Sequence, residues 1–241
     1  MHLSARVQIV CAKAKLVHAL DRVVWESLTT YHAPLAEGTA LARRFLRDVN
    51  LFAAARDDSP AALSDLSSLV KPDETVFVLQ VPAIVIPPGL VEVKSAPGVQ
   101  MLATQPPPGA VSRADITNLT DADAPDMLAL ARLTEPGPFL ERTNRMGRFI
   151  GIRVEGRLAA MAGERMRIPG FTELSGVCTH PDFRGRGFAR RLSTAVVADI
   201  FARGERAFLH AWKSNHTAIA LYEQLGFRVR APVNVSVLTR P

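Results

Sequence analysis

The sequence has two cysteines in 241 residues, Cys11 and Cys178, too few for a disulfide scaffold or a cysteine-rich zinc site. Its six histidines, at 2, 18, 32, 180, 210 and 216, form no HxxxH or equivalent pair, so no metal site is expected. Two tryptophans and two tyrosines offer few platforms for base stacking, which argues against a nucleic-acid partner. Nowhere do about 18 apolar residues run uninterrupted, so no membrane-crossing helix is expected. Arg6, Lys13 and Lys15 precede the first acid, Asp21. Lys13 cuts the apolar core of that stretch, which argues against a secretory signal and leaves a transit peptide as the alternative. A reducing, cytoplasmic setting is expected.

What is present is a globular composition. Apolar residues make up 48%, enough to exclude a disordered chain. The net charge of +6 is local: residues 181–241 hold ten Lys/Arg against four Asp/Glu, which accounts for all of it. Either an anionic ligand meets this quarter or it forms a solvated basic surface.

Three consecutive prolines at 106–108 followed by Gly109 suit a stiff linker. The reading is a smaller α/β N-terminal domain over 1–105, a linker over 106–113 and a second domain over 114–241. In the first part, Ser59-Pro60 opens a helix, and strands are expected at 75–81, 90–93 and 99–104, with a turn at Pro97-Gly98. In the second part, a strand at 116–119 leads to a helix capped by Thr120 and Asp123. Strands follow at 149–154, 158–166 and 171–179, then a helix over 187–203 and a strand at 207–212. A last helix capped by Ser214 ends at Gly226, and strands at 227–229 and 234–238 close a mixed α/β order.

The stretch Thr179-His180-Pro181-Asp182-Phe183-Arg184-Gly185-Arg186-Gly187-Phe188-Ala189-Arg190-Arg191 is the most informative. A strand enters a glycine turn that opens a helix, with Phe188, Leu192, Val196 and Ile200 on one buried stripe. No Ser, Thr, Asp or Asn immediately precedes that helix, so its first N–H groups have no side-chain partner. Glycines at 185 and 187 allow close approach, and an anion would satisfy those donors and meet the positive end of the helix dipole. The competing reading is a plain glycine turn with a solvated arginine face. A P-loop is excluded because no Gly-x-x-x-x-Gly-Lys-Ser/Thr run exists, and a dinucleotide fingerprint fails at Arg190.

Arg184-Gly185-Arg186-Gly187-Phe188-Ala189 resembles the pyrophosphate signature Gln/Arg-x-x-Gly-x-Gly/Ala of the Gcn5-related N-acetyltransferase (GNAT) superfamily. A second family element follows one helix and one strand later, from Asn215 through Ala218 and Tyr222 to Gly226-Phe227. The resemblance covers about 114–241, and the segment from Cys178 to Pro181 is most similar to the FR47-like subgroup. It implies an acyl-CoA N-acyltransferase fold, a mixed and splayed sheet flanked by helices. Residues 1–105 lack the motif and could be a degenerate copy of the same fold. It also implies acetyl-CoA as cosubstrate. Val177, Cys178 and Thr179 match the strand that meets the pantetheine arm. Arg184, Gly185, Arg186, Gly187, Phe188, Ala189 and Arg190 match the pyrophosphate cradle. Asn215 matches a cofactor contact, and Tyr222 the tyrosine near the thioester sulfur.

Acyl transfer to an amine needs a neutral nucleophile. A lysine-like amine is only about 0.04% neutral at pH 7, a penalty of roughly 4.6 kcal/mol, whereas an α-amine carries far less. Glu173 is the candidate base, directly or through a water, eleven residues before Arg184. Alternation puts it on one face with Ser175, Val177 and Thr179 unless a bulge shifts the register. Tyr222 is the candidate acid for the departing thiolate, with a core tyrosine as the competing reading. A backbone N–H at or near Val177 is the candidate oxyanion donor. Cys178 reads as a small buried hydrophobe rather than an acyl carrier. Glu164 and Arg165, one strand earlier, are expected to face the acceptor. The acceptor stays open among protein N-termini, lysines, amino acids, polyamines and antibiotics. A homodimer and a non-catalytic CoA-binding module stay open too.

Overall fold

The computed structural model describes residues 18–241. The basic segment weighed for a targeting signal, and Cys11, lie outside them. Apolar strands that alternate with amphipathic helices bury both against one sheet. In chain order the elements are α1 (Val23–Thr29), β1 (Ala36–Gly38), β2 (Ala42–Phe45), β3 (Ala53–Ala55), α2 (Pro60–Ser68), β4 (Thr75–Gln80) and β5 (Val91–Ala103). There follow β6 (Ile116–Leu119), α3 (Ala124–Thr134), β7 (Phe149–Val154), β8 (Arg157–Ile168), β9 (Phe171–Thr179), α4 (Phe188–Ala202), β10 (Arg206–Trp212), α5 (His216–Gln224) and β11 (Phe227–Thr239). Strands β1–β3 make a small sheet. The other eight form one sheet in the order β4-β11-β5-β10-β9-β8-β7-β6. All its pairs are antiparallel except β9 with β10.

Helices cover both faces. Leu192, Val196 and Ile200 of α4 pack with Ile150, Ile152, Leu174 and Leu209 on one face. On the other, Met127 and Leu130 of α3 meet Phe149, Met161 and Cys178, while Val23, Val24 and Leu28 of α1 meet Met166, Phe171 and Phe208. The Thr120–Asp123 capping box forms as expected, and Asn215 rather than Ser214 caps α5, accepting from Ala218 N at 3.1 Å. Among the described residues, no helix is long and apolar enough to cross a membrane.

The expected division at 106–113 is corrected by the pairing of β5. That strand lies between β10 and β11, and β4 joins the same sheet beyond β11. The prolines therefore connect strands of one sheet instead of separating two domains. The reason is burial: Val99, Met101 and Ala103 belong to the same apolar cluster as α4. Pro97-Gly98 is not a turn but the middle of β5. A Cβ at Gly98 would stand 2.8 Å from Val233 Cγ2 and 3.2 Å from the Ala211 carbonyl oxygen, so the glycine lets strands close in from both sides. The two last expected strands are likewise one, β11, kinked by a bulge between Val229 and Ala231.

Met101 is fully buried in the cluster beneath α4. Met101→Ala should destabilise by about 2–5 kcal/mol. Chemical denaturation followed by both tryptophan fluorescence and circular dichroism should give one shifted transition. Two transitions, with only one of them shifted, would contradict a shared sheet.

Candidate active site

Strands β9 and β10 pair only through Arg206↔Phe171, Ala207↔Thr172 and Phe208↔Glu173, and then part. Beyond the fork, the edge of β9 toward β10 has no strand partner among the described residues. A cleft of about 610 Å³ opens there, lined by Val177, Cys178 and Thr179, by residues 183–190, and by Asn215, Ala218 and Tyr222 of the α5 segment. These are the residues the sequence singled out for a nucleotide-bearing thiol carrier.

The floor of the cleft is the start of α4. Its N-cap, Gly187, is left-handed at φ 74° and makes no side-chain cap. Gly185 is left-handed at φ 79°, and a Cβ at either glycine would meet nothing within 4 Å. The first backbone bond closing the helix runs from Arg191 N to the Gly187 carbonyl, 3.1 Å. Among the described residues, the N–H groups of 185–190 have no protein acceptor. Thr179, on the opposite wall, has a buried Oγ1 with no partner. Unpaired N–H groups opening a helix on a largely exposed turn form an anion-binding site. Of the arginines nearby, Arg191 is tied to Asp115 at 3.0 Å and Arg190 to Gln224. Arg184 and Arg186 make no ion pair among the described residues. The Arg186 guanidinium lies 5.1 Å over the Phe183 ring.

A second cavity, about 240 Å³, lies on the other side of the fork, lined by Phe52, Phe77, Arg165, His210, Trp212 and Val235 among others. Thr134, Val177, Asn215, Ala218 and Tyr222 line both spaces. Tyr222 thus stands where cleft and cavity meet. Its hydroxyl has no protein partner among the described residues, and its ring meets Phe227 edge-on at 6.0 Å. Burial, with Cys178 beside it, pushes its pKa up to about 12, so the phenol holds its proton across the working pH range. Burial also pushes the Cys178 thiol up to about 11, which leaves almost no thiolate to act as a nucleophile.

Glu173 departs from the expected free base. It is fully buried at the fork. Its carboxylate accepts from Arg165 Nε (2.8 Å) and Nη2 (2.7 Å), from Met166 N (3.2 Å) and from His210 Nδ1 (2.7 Å). Burial would raise its pKa, but Arg165 and His210 outweigh it and hold the carboxyl well below its usual range. A carboxylate so engaged positions its neighbours and has little capacity to take a proton. Strand bulges create this arrangement. β8 has one extra residue between Glu164 and Arg167, opposite Glu173, which frees Met166 N–H to reach it. β9 has its own extra residue between Ser175 and Cys178, where Gly176 is left-handed at φ 62°. This breaks the expected shared face: Val177 joins Leu174 rather than Glu173 on the α4 side, while Cys178 packs toward α3.

Of the two residues expected near the acceptor, Arg165 lines the cavity, whereas Glu164 binds Arg203 at 2.9 Å. His210 was not legible as a site residue because its partners are distant in sequence. Arg230 Nε donates to Gln100 Oε1 at 2.8 Å, which turns the Gln100 amide nitrogen toward Leu20 O and His210 Nε2, 3.0 Å each. His210 Nε2 therefore accepts and Nδ1–H donates to Glu173. His180, also unassigned, caps a short turn by accepting from Asp182 N. Among the described residues, no group of three or more His, Cys, Asp or Glu is placed to hold a metal ion.

The family model described as FR47-like protein matches residues 149–235. A ribosomal protein bS18-alanine N-acetyltransferase of Salmonella typhimurium is 30% identical over 118 residues, 46% of this chain and 79% of that protein. The N-alpha-acetyltransferase RimI of Mycobacterium tuberculosis is 32% identical over 124 residues, 50% of this chain and 77% of that protein. A crystal structure of a putative acetyltransferase from the GNAT family of Novosphingobium aromaticivorans is 43% identical, with a TM-score of 0.88 over 93% of this chain and 100% of that one.

Because Glu173 titrates below its ordinary 4.5 in the folded state, its contribution is complete above about pH 4.5 and is lost as pH falls. Glu173→Gln leaves Arg165 buried without its partner and should destabilise by about 3–5 kcal/mol at pH 7. The gap to the native protein should narrow as denaturation is repeated below pH 4.5. A gap that stays constant down to pH 3 would contradict the ion pair.

Proposed function

Since the chain belongs to the Gcn5-related N-acetyltransferase (GNAT) family of acetyltransferases, we propose that it moves an acetyl group from acetyl-CoA to a primary amine, by direct attack within a ternary complex. The observation that carries this reading is the set of unpartnered N–H groups over 185–190 in a cleft that meets a second cavity at Tyr222. In this reading those amides, with Arg184 and Arg186, hold the diphosphate. The open backbone edge of β9 over residues 177–179 receives the amide groups of the pantetheine arm. The thioester then lies at the fork, within the wall shared by both spaces.

The reaction forms a carbon–nitrogen bond and breaks a carbon–sulfur bond, and the amine gives up one proton. A backbone N–H near Val177 donates to the carbonyl oxygen as its charge grows. The Tyr222 phenol donates its proton to the departing sulfur. With Glu173 committed to Arg165 and His210, the amine's proton leaves through water. That route suits an α-amine, about one pKa unit above neutrality, far better than a lysine side chain about three units above. The curated relatives are named for an alanine and an α-amine, in keeping with this class.

The N-terminal part, in this reading, walls the acceptor space: Phe52, Phe77 and Leu79 come from it. Isothermal titration should show one CoA site per chain. Tyr222→Phe should bind CoA with unchanged affinity and lower kcat by about 10²-fold, with a smaller effect on KM. An absence of binding at millimolar CoA removes the proposal, and an unchanged kcat removes the acid role of Tyr222.

A further inference from the structure

The cavity beyond Tyr222 has a chemistry of its own. One wall is apolar: Phe52 and Phe77 meet edge-on at 6.0 Å, beside Leu79, Val233 and Val235. Phe52, Phe77 and Leu79 lie outside the 149–235 match, so the aromatic part of this wall comes from the part of the chain that the family model does not describe. Against that wall stands Arg165, whose side chain is only 9% exposed. Its Nε and Nη2 are engaged by Glu173, and its guanidinium lies 5.0 Å over the Phe52 ring. Its Nη1 has no acceptor among the described residues. That atom lies beside the 136–138 loop: a Cβ at Gly137 (φ 129°) would be in ordinary contact with Nη1, at 3.7 Å.

A buried guanidinium with unused donors on a cavity wall calls for an acceptor, and a charged one binds about twice as strongly as a neutral one. We infer that the acceptor is a free apolar α-amino acid, its carboxylate held by Arg165 Nη1 and its side chain set against Phe52, Phe77 and Leu79. The inference rests on the acetyl-transfer reading and deepens it. The volume, about 240 Å³, falls below the roughly 300–1,000 Å³ typical of drug-sized ligands, which favours one small molecule over a peptide chain. The amine nitrogen then attacks the acetyl carbonyl carbon, the carbon–sulfur bond breaks, and the product is the N-acetyl amino acid plus CoA thiol.

The test measures CoA thiol release by the full chain with acetyl-CoA and matched acceptors. These are L-leucine and L-phenylalanine, the carboxylate-free isoamylamine and phenethylamine, and the tripeptides Leu-Gly-Gly and Phe-Gly-Gly. The free amino acids should exceed the carboxylate-free amines by about 10- to 100-fold in kcat/KM, and should exceed the tripeptides. Leu79→Trp, which fills the apolar wall, should raise KM for L-phenylalanine while leaving the Kd for CoA unchanged. Equal rates with and without the carboxylate, or faster turnover of the tripeptides, would overturn this assignment and leave acetyl transfer standing. Thiol release with none of these amines or others would overturn both.

Discussion

At Phe208↔Glu173 two parallel strands stop pairing, and both functional spaces follow from that separation. On one side it bares the edge of β9 above the start of α4. On the other it leaves room between the sheet and the N-terminal elements. Glu173 sits at the apex of the fork. Its carboxylate binds Arg165 and Met166 of β8 and His210 of β10, spanning three strands at the point of parting. A buried ion pair of this kind adds little net stability over apolar packing, but losing one partner is costly, so it fixes a geometry more than it strengthens the fold.

The charge excess of the last quarter acquires a different meaning in three dimensions. Arg191 binds Asp115, Arg203 binds Glu164 and Arg230 binds Asp21, so acids from earlier in the chain pair with three of its ten basic residues. Arg184 and Arg186, which make no ion pair among the described residues, flank the glycine turn. The field at the start of α4 is therefore local: two arginines, a run of unpartnered amides and a helix dipole directed at one cleft.

Much of this was legible locally. The glycine turn, the α4 stripe and the second motif at α5 are short-range patterns, and the cleft joins the residues they named. The exceptions are all long-range. Pro97-Gly98 has turn chemistry but sits in a strand, because β10 and β11 flank it closely. Glu173 has the right spacing for a base, but its environment is set by Arg165 and His210, 8 and 37 residues away. The bulges in β8 and β9 break the alternation from which faces are read, and only the pairing register reveals them. Arg165 could be placed by topology, whereas His210 and the Phe52–Phe77 wall carried no sequence signal.

The central claim is that the backbone amides opening α4 grip the diphosphate of a CoA thioester. Amide chemical shifts of the ¹⁵N-labelled protein, followed as CoA is added, test it most directly. The account predicts that residues 185–190 carry the largest shifts and saturate together at one equivalent. Shifts confined to other surfaces, with those six amides unmoved, would contradict it.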